Sequence, residues 1–344
     1  HFWTSKQNLS PNQEKTMIHV GILGSAGYTG GELLRLLLNH PSIERISPYS
    51  RSHANQSISS VHDDIRADNL LFKDATSLKE DAPDVLFMAL AHGESLQWLQ
   101  RESWVGEAVN KGTIKLIDLS QDFRNEELLV DNVSFVYGLP ELNRTQIQQA
   151  QAVSNPGCFA TAIQLSILPF SSTIASPIHV TGITGSSGAG QTPTPTTHFS
   201  WRNHNVQPYK VLTHQHMVEV TTHLTETFTT LPKIHFVPWR GPFSRGILVS
   251  TSISWGGTLE EAKQRINDTY DSHPFVHVSD QPVHLKQVVG TNQAILSTDL
   301  HDGCLVINVV IDNLLKGASG QAVQNMNLML GLKEEAGLSL SATR

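Results

Sequence analysis

The residues with the plainest chemical potential lie in Ser154-Asn155-Pro156-Gly157-Cys158-Phe159-Ala160-Thr161. Residues 151–154 read as a short strand, and Ala162, Ile163, Leu165, Ile167 and Leu168 as the apolar part of a helix. Pro156-Gly157 turns the chain sharply between the two. Cys158 therefore falls in the first turn of a helix, where unpaired N–H groups and the helix dipole favour negative charge. A thiolate is stabilised in such a place, so the position predicts a cysteine pKa below the free value of about 8.5. The same N–H groups suit an oxyanion. The plainer alternative is a cysteine that only packs at a helix start.

Proton transfer could come from Thr213-His214-Gln215-His216-Met217-Val218-Glu219, with a helix expected to begin near His216. Histidines at i and i+2 do not share a helical face, but they do share a face of an extended segment. One of the pair is thus expected to transfer a proton while the other packs or orients. Glu219, three residues after His216, is placed to reach back over the first turn and orient the imidazole. Arg240 and Arg245 stand on a turn before a strand and suit either an anionic substrate, through bidentate contacts, or a plain surface role.

These groups need a frame. Met17 to Leu23 reads as a buried parallel strand running into Gly24-Ser25-Ala26-Gly27-Tyr28-Thr29-Gly30-Gly31, then a helical run, Glu32 to Asn39, stopped by Pro41. Strand, glycine-rich turn and helix make a dinucleotide cradle, here in the form G-x-x-G-x-x-G. A second strand, Ile43 to Tyr49, ends in Ser50-Arg51-Ser52 where an acidic residue would mark NAD; a cation between two hydroxyls suits a 2′-phosphate, hence NADP. Pro48 is expected to mark the frayed end of that strand. Runs at 84–90 and 115–120 break into polar residues at their C-terminal ends, the ligand edge of a doubly wound sheet. His92, after the first of them, is either a cofactor-loop residue or a turn residue. Beyond the cysteine helix, strands at 178–184, 234–237, 246–255, 275–278 and 304–311 with one helix at 259–272 suggest an α+β unit with a mostly antiparallel sheet. Cys304, on one of those strands, is expected in the core. The run 312–332 is read as a helix returning to the first domain, with Asn325 offered to a nicotinamide.

At 344 residues two domains are expected, and a net charge of −7 argues against general affinity for nucleic acid or acidic membranes. No apolar run reaches the ~20 residues of a membrane span. Two cysteines make no disulfide framework and fit a reducing compartment such as the cytoplasm. The 17 histidines are scattered without metal-ligand spacing, so no metal is expected. Residues 1–16 are polar and aperiodic and are read as a disordered extension or tag.

Several ordered motifs carry a resemblance: GxxGYTGGELLRLLLxHP at 24–41, SRS at 50–52, HGxS at 92–95, IDLSQDFR at 117–124, YGLPELNR at 137–144, NPGC at 155–158, SGAG at 187–190, HxHxxE at 214–219, SRGI at 244–247 and KGASGQAVQNMN at 316–327. From Met17 to Leu332 the chain resembles the N-acetyl-gamma-glutamyl-phosphate reductases of arginine biosynthesis, relatives of aspartate-semialdehyde dehydrogenase. The resemblance implies an α/β protein: a Rossmann-type NADP domain (17–157), an α+β catalytic and oligomerisation domain (158–314) and a C-terminal helix (315–344) returning to the first, assembled as a homodimer or homotetramer. It implies Cys158 as nucleophile and His216, or as second choice His214, as general acid/base. Matching motifs add Ser187 and Gly188 to the cofactor candidates, and Asn155, Arg124 and Arg245 to the substrate candidates. Ala91, Gln191 and Phe159-Ala160 depart from the family's usual proline, basic residue and Tyr-Pro, which bears on pocket shape. The competing readings are a reductase for a related acyl phosphate (another N-acyl group or an aminoadipyl chain), a non-catalytic NADP-binding sensor, and a cofactor-free cysteine hydrolase or acyltransferase, against which the cradle at 24–30 speaks.

Overall fold

The computed structural model describes residues 17–125 and 130–343, so the proposed extension at 1–16 lies outside the described residues. The wholly buried Ile18–Leu23 (β1) leads through the glycine turn into Tyr28–Leu37 (α1), whose inner face carries Leu33, Leu34, Leu36 and Leu37. Ile43–Tyr49 (β2), Val85–Met88 (β3), Glu94–Arg101 (α2), Ser103–Asn110 (α3), Lys115–Asp118 (β4), Val136–Tyr137 (β5), Pro140–Gln149 (α4) and Ala152–Ser154 (β6) follow. The six strands form one parallel sheet in the order β2-β1-β3-β4-β6-β5. The order reverses between β1 and β3, and ligands of such sheets bind at the C-terminal strand ends beside that reversal. Pro48 lies inside β2, paired with Ile22, and not at a frayed end. β2 is the outermost strand; Ser50 donates outward to Lys73 O, so the nitrogen of Pro48, two residues earlier, also faces away from β1 and takes no bond from the ladder.

Cys158–Ile167 (α5) starts straight after the turn that ends β6. Then come Ile178–Thr184 (β7), Phe199–Arg202 (α6), Gln207–Pro208 (β8), His216–Thr225 (α7), Ile234–Arg240 (β9), Ile247–Ser254 (β10), Leu259–Tyr270 (α8), Val276–Val278 (β11), Ala294–His301 (β12) and Cys304–Ile311 (β13). They make a mixed, mainly antiparallel sheet in the order β11-β12-β13-β10-β7-β9-β8. Cys304 is exposed, contrary to expectation: it is the first residue after the β12–β13 turn, where the strand has not yet entered the core.

The C-terminal run is two pieces, a π-helical turn Leu315–Ser319 and the helix Gly320–Met329 (α9). All ten residues of α9 are buried, and Val323 and Met326 share a core with Ile18, Val20 and Leu33 beside α1 and α4. The π-helical turn carries a wholly buried ion pair: Lys316 Nζ donates to Glu141 Oε1 of α4 at 2.7 Å and to Gln324 Oε1 at 3.0 Å. Among the described residues, no helix is long and apolar enough to cross a membrane, and no group of three or more histidine, cysteine or acidic side chains is arranged to hold a metal.

Candidate active site

The glycine turn packs against the end of β3. At Gly24, with φ +74°, a Cβ would lie 2.2 Å from Ala89 O, and at Gly30 one would lie 2.5 Å from Gly24 O. Gly27 is different: a Cβ there would meet only Gly24 O, at 3.5 Å, so its outer face is open. Gly27 caps α1 with no side-chain hydrogen bond, which leaves the first N–H groups of the helix for an anion. Ser25 is tied inward, its hydroxyl donating to Tyr49 O, while Arg51 and Ser52 are exposed past the end of β2. This donor set and open cradle fit a dinucleotide with a 2′-phosphate. The 530 Å³ cleft beside α1, reaching Tyr28, Glu32, Ser187 and Arg245, adjoins the cradle but does not touch Cys158.

Cys158 is the first residue of α5 and keeps partial solvent access. Its own N–H and that of Phe159 favour the thiolate, as does Arg124, but burial is the larger effect and pushes the thiol up to about 11. The expected depression is therefore reversed: the helix-start groups act in the foreseen direction and are outweighed by desolvation. Gly317 of the π-helical turn presses on the cysteine; a Cβ there would lie 2.7 Å from that of Cys158.

His216 opens α7 with its ring against Gly157, where a Cβ would fall 2.4 Å from Nε2. Its Nδ1 has no hydrogen-bond partner among the described residues. His214 Nδ1 accepts from the His216 N–H at 3.2 Å, the two rings meet edge-on at 4.7 Å, and Tyr209 OH lies 3.5 Å from His214 Nε2. Gln215 is already helical, so the pair comes together without the extended segment anticipated. Burial pushes both imidazoles down to about 3, and both are neutral near pH 7.

Glu219 does not reach back to His216. Its Oε1 accepts from Gly157 N–H at 2.7 Å and Tyr137 OH at 2.8 Å, and Oε2 faces Arg124 at 3.4 Å. A carboxylate in the first turn of a helix accepts from whatever donors the fold supplies, and here they are Gly157 N–H, Tyr137 OH and Arg124. Arg124 points inward, donating to the carbonyls of Asn155 and Leu119. Asn155 is likewise bound up, with Nδ2 on Ala318 O and Oδ1 receiving Asn325 Nδ2. Arg245 pairs with Asp312 and Glu32, on the α1 side of the cleft. Arg124 and Asn155 thus offer no free anion-binding face for a substrate contact, whereas Arg245, though paired, stays partly exposed on the wall of the cleft. Asn325 spends its amide on Gly138 O and Asn155, leaving Oδ1 unpartnered. His92 is exposed after β3 and accepts from Gln121 N–H, close enough to His216 to lower it electrostatically. Ser187 and Gly188 sit in a 3₁₀ turn, with the Ser187 hydroxyl on Ser244 O. Tyr137 and Tyr209 were not foreseen; neither stands in a pattern that sequence marks as reactive.

The family model described as "Semialdehyde dehydrogenase, NAD binding domain" matches residues 19–150, and "Semialdehyde dehydrogenase, dimerisation domain" matches residues 158–313. In fold the chain is similar to aspartate semialdehyde dehydrogenase II of Vibrio cholerae (TM-score 0.71, 16% identity, 92% of this chain and 99% of that one). It is also similar to an aspartate semialdehyde dehydrogenase of Candida albicans solved with NADP (TM-score 0.65, 14% identity, 93% and 99%). The N-acetyl-gamma-glutamyl-phosphate reductase of Parabacteroides distasonis is 46% identical over 94% of this chain and 98% of the relative. With the reductase of that name from Azobacteroides pseudotrichonymphae also 45% identical, over 95% of this chain and 99% of its own length, the chain belongs to the N-acetyl-gamma-glutamyl-phosphate reductase family.

Proposed function

We infer that the protein catalyses the NADPH-dependent reduction of N-acetyl-gamma-glutamyl phosphate to N-acetylglutamate semialdehyde and phosphate, a step of arginine biosynthesis. The observation that carries this reading is the cysteine at the first position of α5 with a neutral imidazole against the preceding glycine, at the strand edge that also holds the dinucleotide cradle.

The thiol is protonated at rest, so attack needs a base. His216 is neutral with a free ring nitrogen, and it takes the proton as Sγ bonds to the acyl carbon. The N–H groups of Cys158 and Phe159 face the developing charge as phosphate departs, taking up a proton from solvent, and a thioester remains. NADPH, when bound along the cradle, supplies the hydride that reduces the thioester carbonyl. His216 returns its proton to the resulting alkoxide. It then takes that hydroxyl proton again as the thiohemiacetal collapses to the aldehyde, and the sulfur recovers a proton. His214 fixes the His216 backbone. Gly27, Tyr28 and Thr29 receive the pyrophosphate, Arg51 meets the 2′-phosphate, and Asn325 Oδ1 is the atom left for the nicotinamide amide.

The protein works in the cytoplasm as a homodimer or homotetramer. Support for assembly comes from the second sheet. α5 and α8 pack on one face, while the other leaves His179 and Thr181 of β7 exposed and Ser250 and Ser252 of β10 half-buried, in register with one another. A second copy covers that face. The test of the activity is Cys158→Ser assayed in reverse, with aldehyde, phosphate and NADP: it should still bind NADP and form no NADPH. Substantial turnover by a folded, homogeneous serine variant would remove Cys158 from the nucleophile's role.

A further inference from the structure

The turn that presents the nucleophile is held at both ends by one buried ion pair. Arg124 Nε donates to the carbonyl of Asn155 at 2.8 Å, where the turn begins. Glu219 Oε1 receives the N–H of Gly157 at 2.7 Å, where it ends. Pro156 between them has no N–H to offer. The two side chains face each other and are only 5% and 2% exposed. Tyr137 closes the arrangement: its hydroxyl donates to the same Oε1, accepts from Gln164 Nε2 of α5 at 2.7 Å, and its ring stacks on His223 of α7 at 3.5 Å. Three segments that are remote in sequence thus converge on a three-residue turn and on the helix that follows it.

We propose that Arg124, Glu219 and Tyr137 are positioning residues, a buried clamp that fixes the Asn155–Gly157 turn and so aims the Cys158 sulfur at the acyl carbon. The proposal rests on the reading of Cys158 as nucleophile. A substrate-binding role for Arg124 or a proton-transfer role for Glu219 would need one of them to face the site with an unclaimed group. Arg124 instead spends its guanidinium on backbone carbonyls, and Glu219 places both oxygens against donors. Buried pairs of this kind contribute little net stability against well-packed apolar residues, which fits a role in geometry.

The clamp also surrounds the sulfur with opposed charges. Arg124 favours its thiolate and Glu219 disfavours it; the other titratable groups about the site include His216, His214, Tyr209, His92 and Lys210, with Tyr137 and His223 packed on the clamp itself. The experiment uses the full chain carrying Cys304→Ser, so that iodoacetamide reports on Cys158 alone. Tyr137→Phe, the mildest change, keeps both charges and loses the two hydrogen bonds of the hydroxyl, to Glu219 and from Gln164. Its kcat should fall about 2- to 10-fold with KM for the acyl phosphate unchanged. Glu219→Gln should lower kcat further while moving the pH midpoint of alkylation down. Arg124→Lys, which keeps the charge but cannot fork, should lower kcat with that midpoint nearly unmoved. A raised KM at normal kcat in Arg124→Lys or Glu219→Gln would make them substrate contacts and overturn the clamp. So would an alkylation midpoint in Glu219→Gln that stays put or rises. If the nucleophile reading itself were wrong, Cys158→Ser would retain turnover, a result separate from all of these.

Discussion

Replacing Lys316 with methionine isolates the energetics of the buried pair that ties the π-helical turn to α4. Both side chains are wholly buried. Gln324 Oε1 keeps a second donor, Asn292 Nδ2, at 3.2 Å, so losing the ammonium does not strand it. Glu141 is different: Oε2 already has no partner, and Oε1 loses the lysine. The whole penalty therefore falls on one buried carboxylate, and Lys316→Met should cost about 3–5 kcal/mol, since methionine fills the stem's volume but not its charge. Lys316→Met with Glu141→Leu removes both charges and should recover most of that, to within about 1 kcal/mol of the parent or better. Urea unfolding followed by fluorescence of the six tryptophans and by far-UV circular dichroism gives the comparison. A single variant as stable as the parent, or a double variant as weak as the single, would refute the reasoning.

Two further outcomes are expected. His214 and His216 are held neutral in the fold, pushed down to about 3, while unfolded histidine protonates near pH 6.5. Below about pH 6.5 the unfolded chain binds more protons, so stability drops as pH falls towards 3; Asp118, raised to about 6 by burial, offsets part of this. A urea midpoint that is flat from about pH 7 to 5 in the parent, or equally sloped in the His214→Asn/His216→Asn variant, would contradict the assignment. Arg51→Ala should weaken NADPH by about 10- to 100-fold, the loss of a charge-assisted phosphate contact, and barely affect NADH; equal losses would place the 2′-phosphate elsewhere.

What the sequence makes legible here is what is local. β1, the glycine turn and α1 are adjacent in the chain, and hydrophobic period and glycine spacing name all three. The turn before Cys158 is equally local. β12 escaped notice although Asp302-Gly303, with φ +47° and +73°, is a strong two-residue hairpin signal. Cys304 was misjudged because an alternating strand does not tell where it emerges from the core. The partners of Glu219 lie 62 and 82 positions away, and no spacing rule connects a helix-start carboxylate to the N–H of Gly157. The thiol's burial depends on Gly317, brought to Cys158 by the packing of α9. Sequence could supply the helix-start contribution to the thiol, and only the assembled fold supplies the larger, opposite one.

The core shared by β1, α1 and α9 has a consequence for how the chain is made. Ile18 and Leu33 leave the ribosome well before Val323 and Met326, which cover them and follow only after the whole second sheet. The parallel sheet can pair its strands beforehand, but its apolar flank stays bare until α9 has been translated. A nascent chain stalled anywhere between β6 and α9 presents that flank to solvent, which makes it a target for chaperones until α9 arrives.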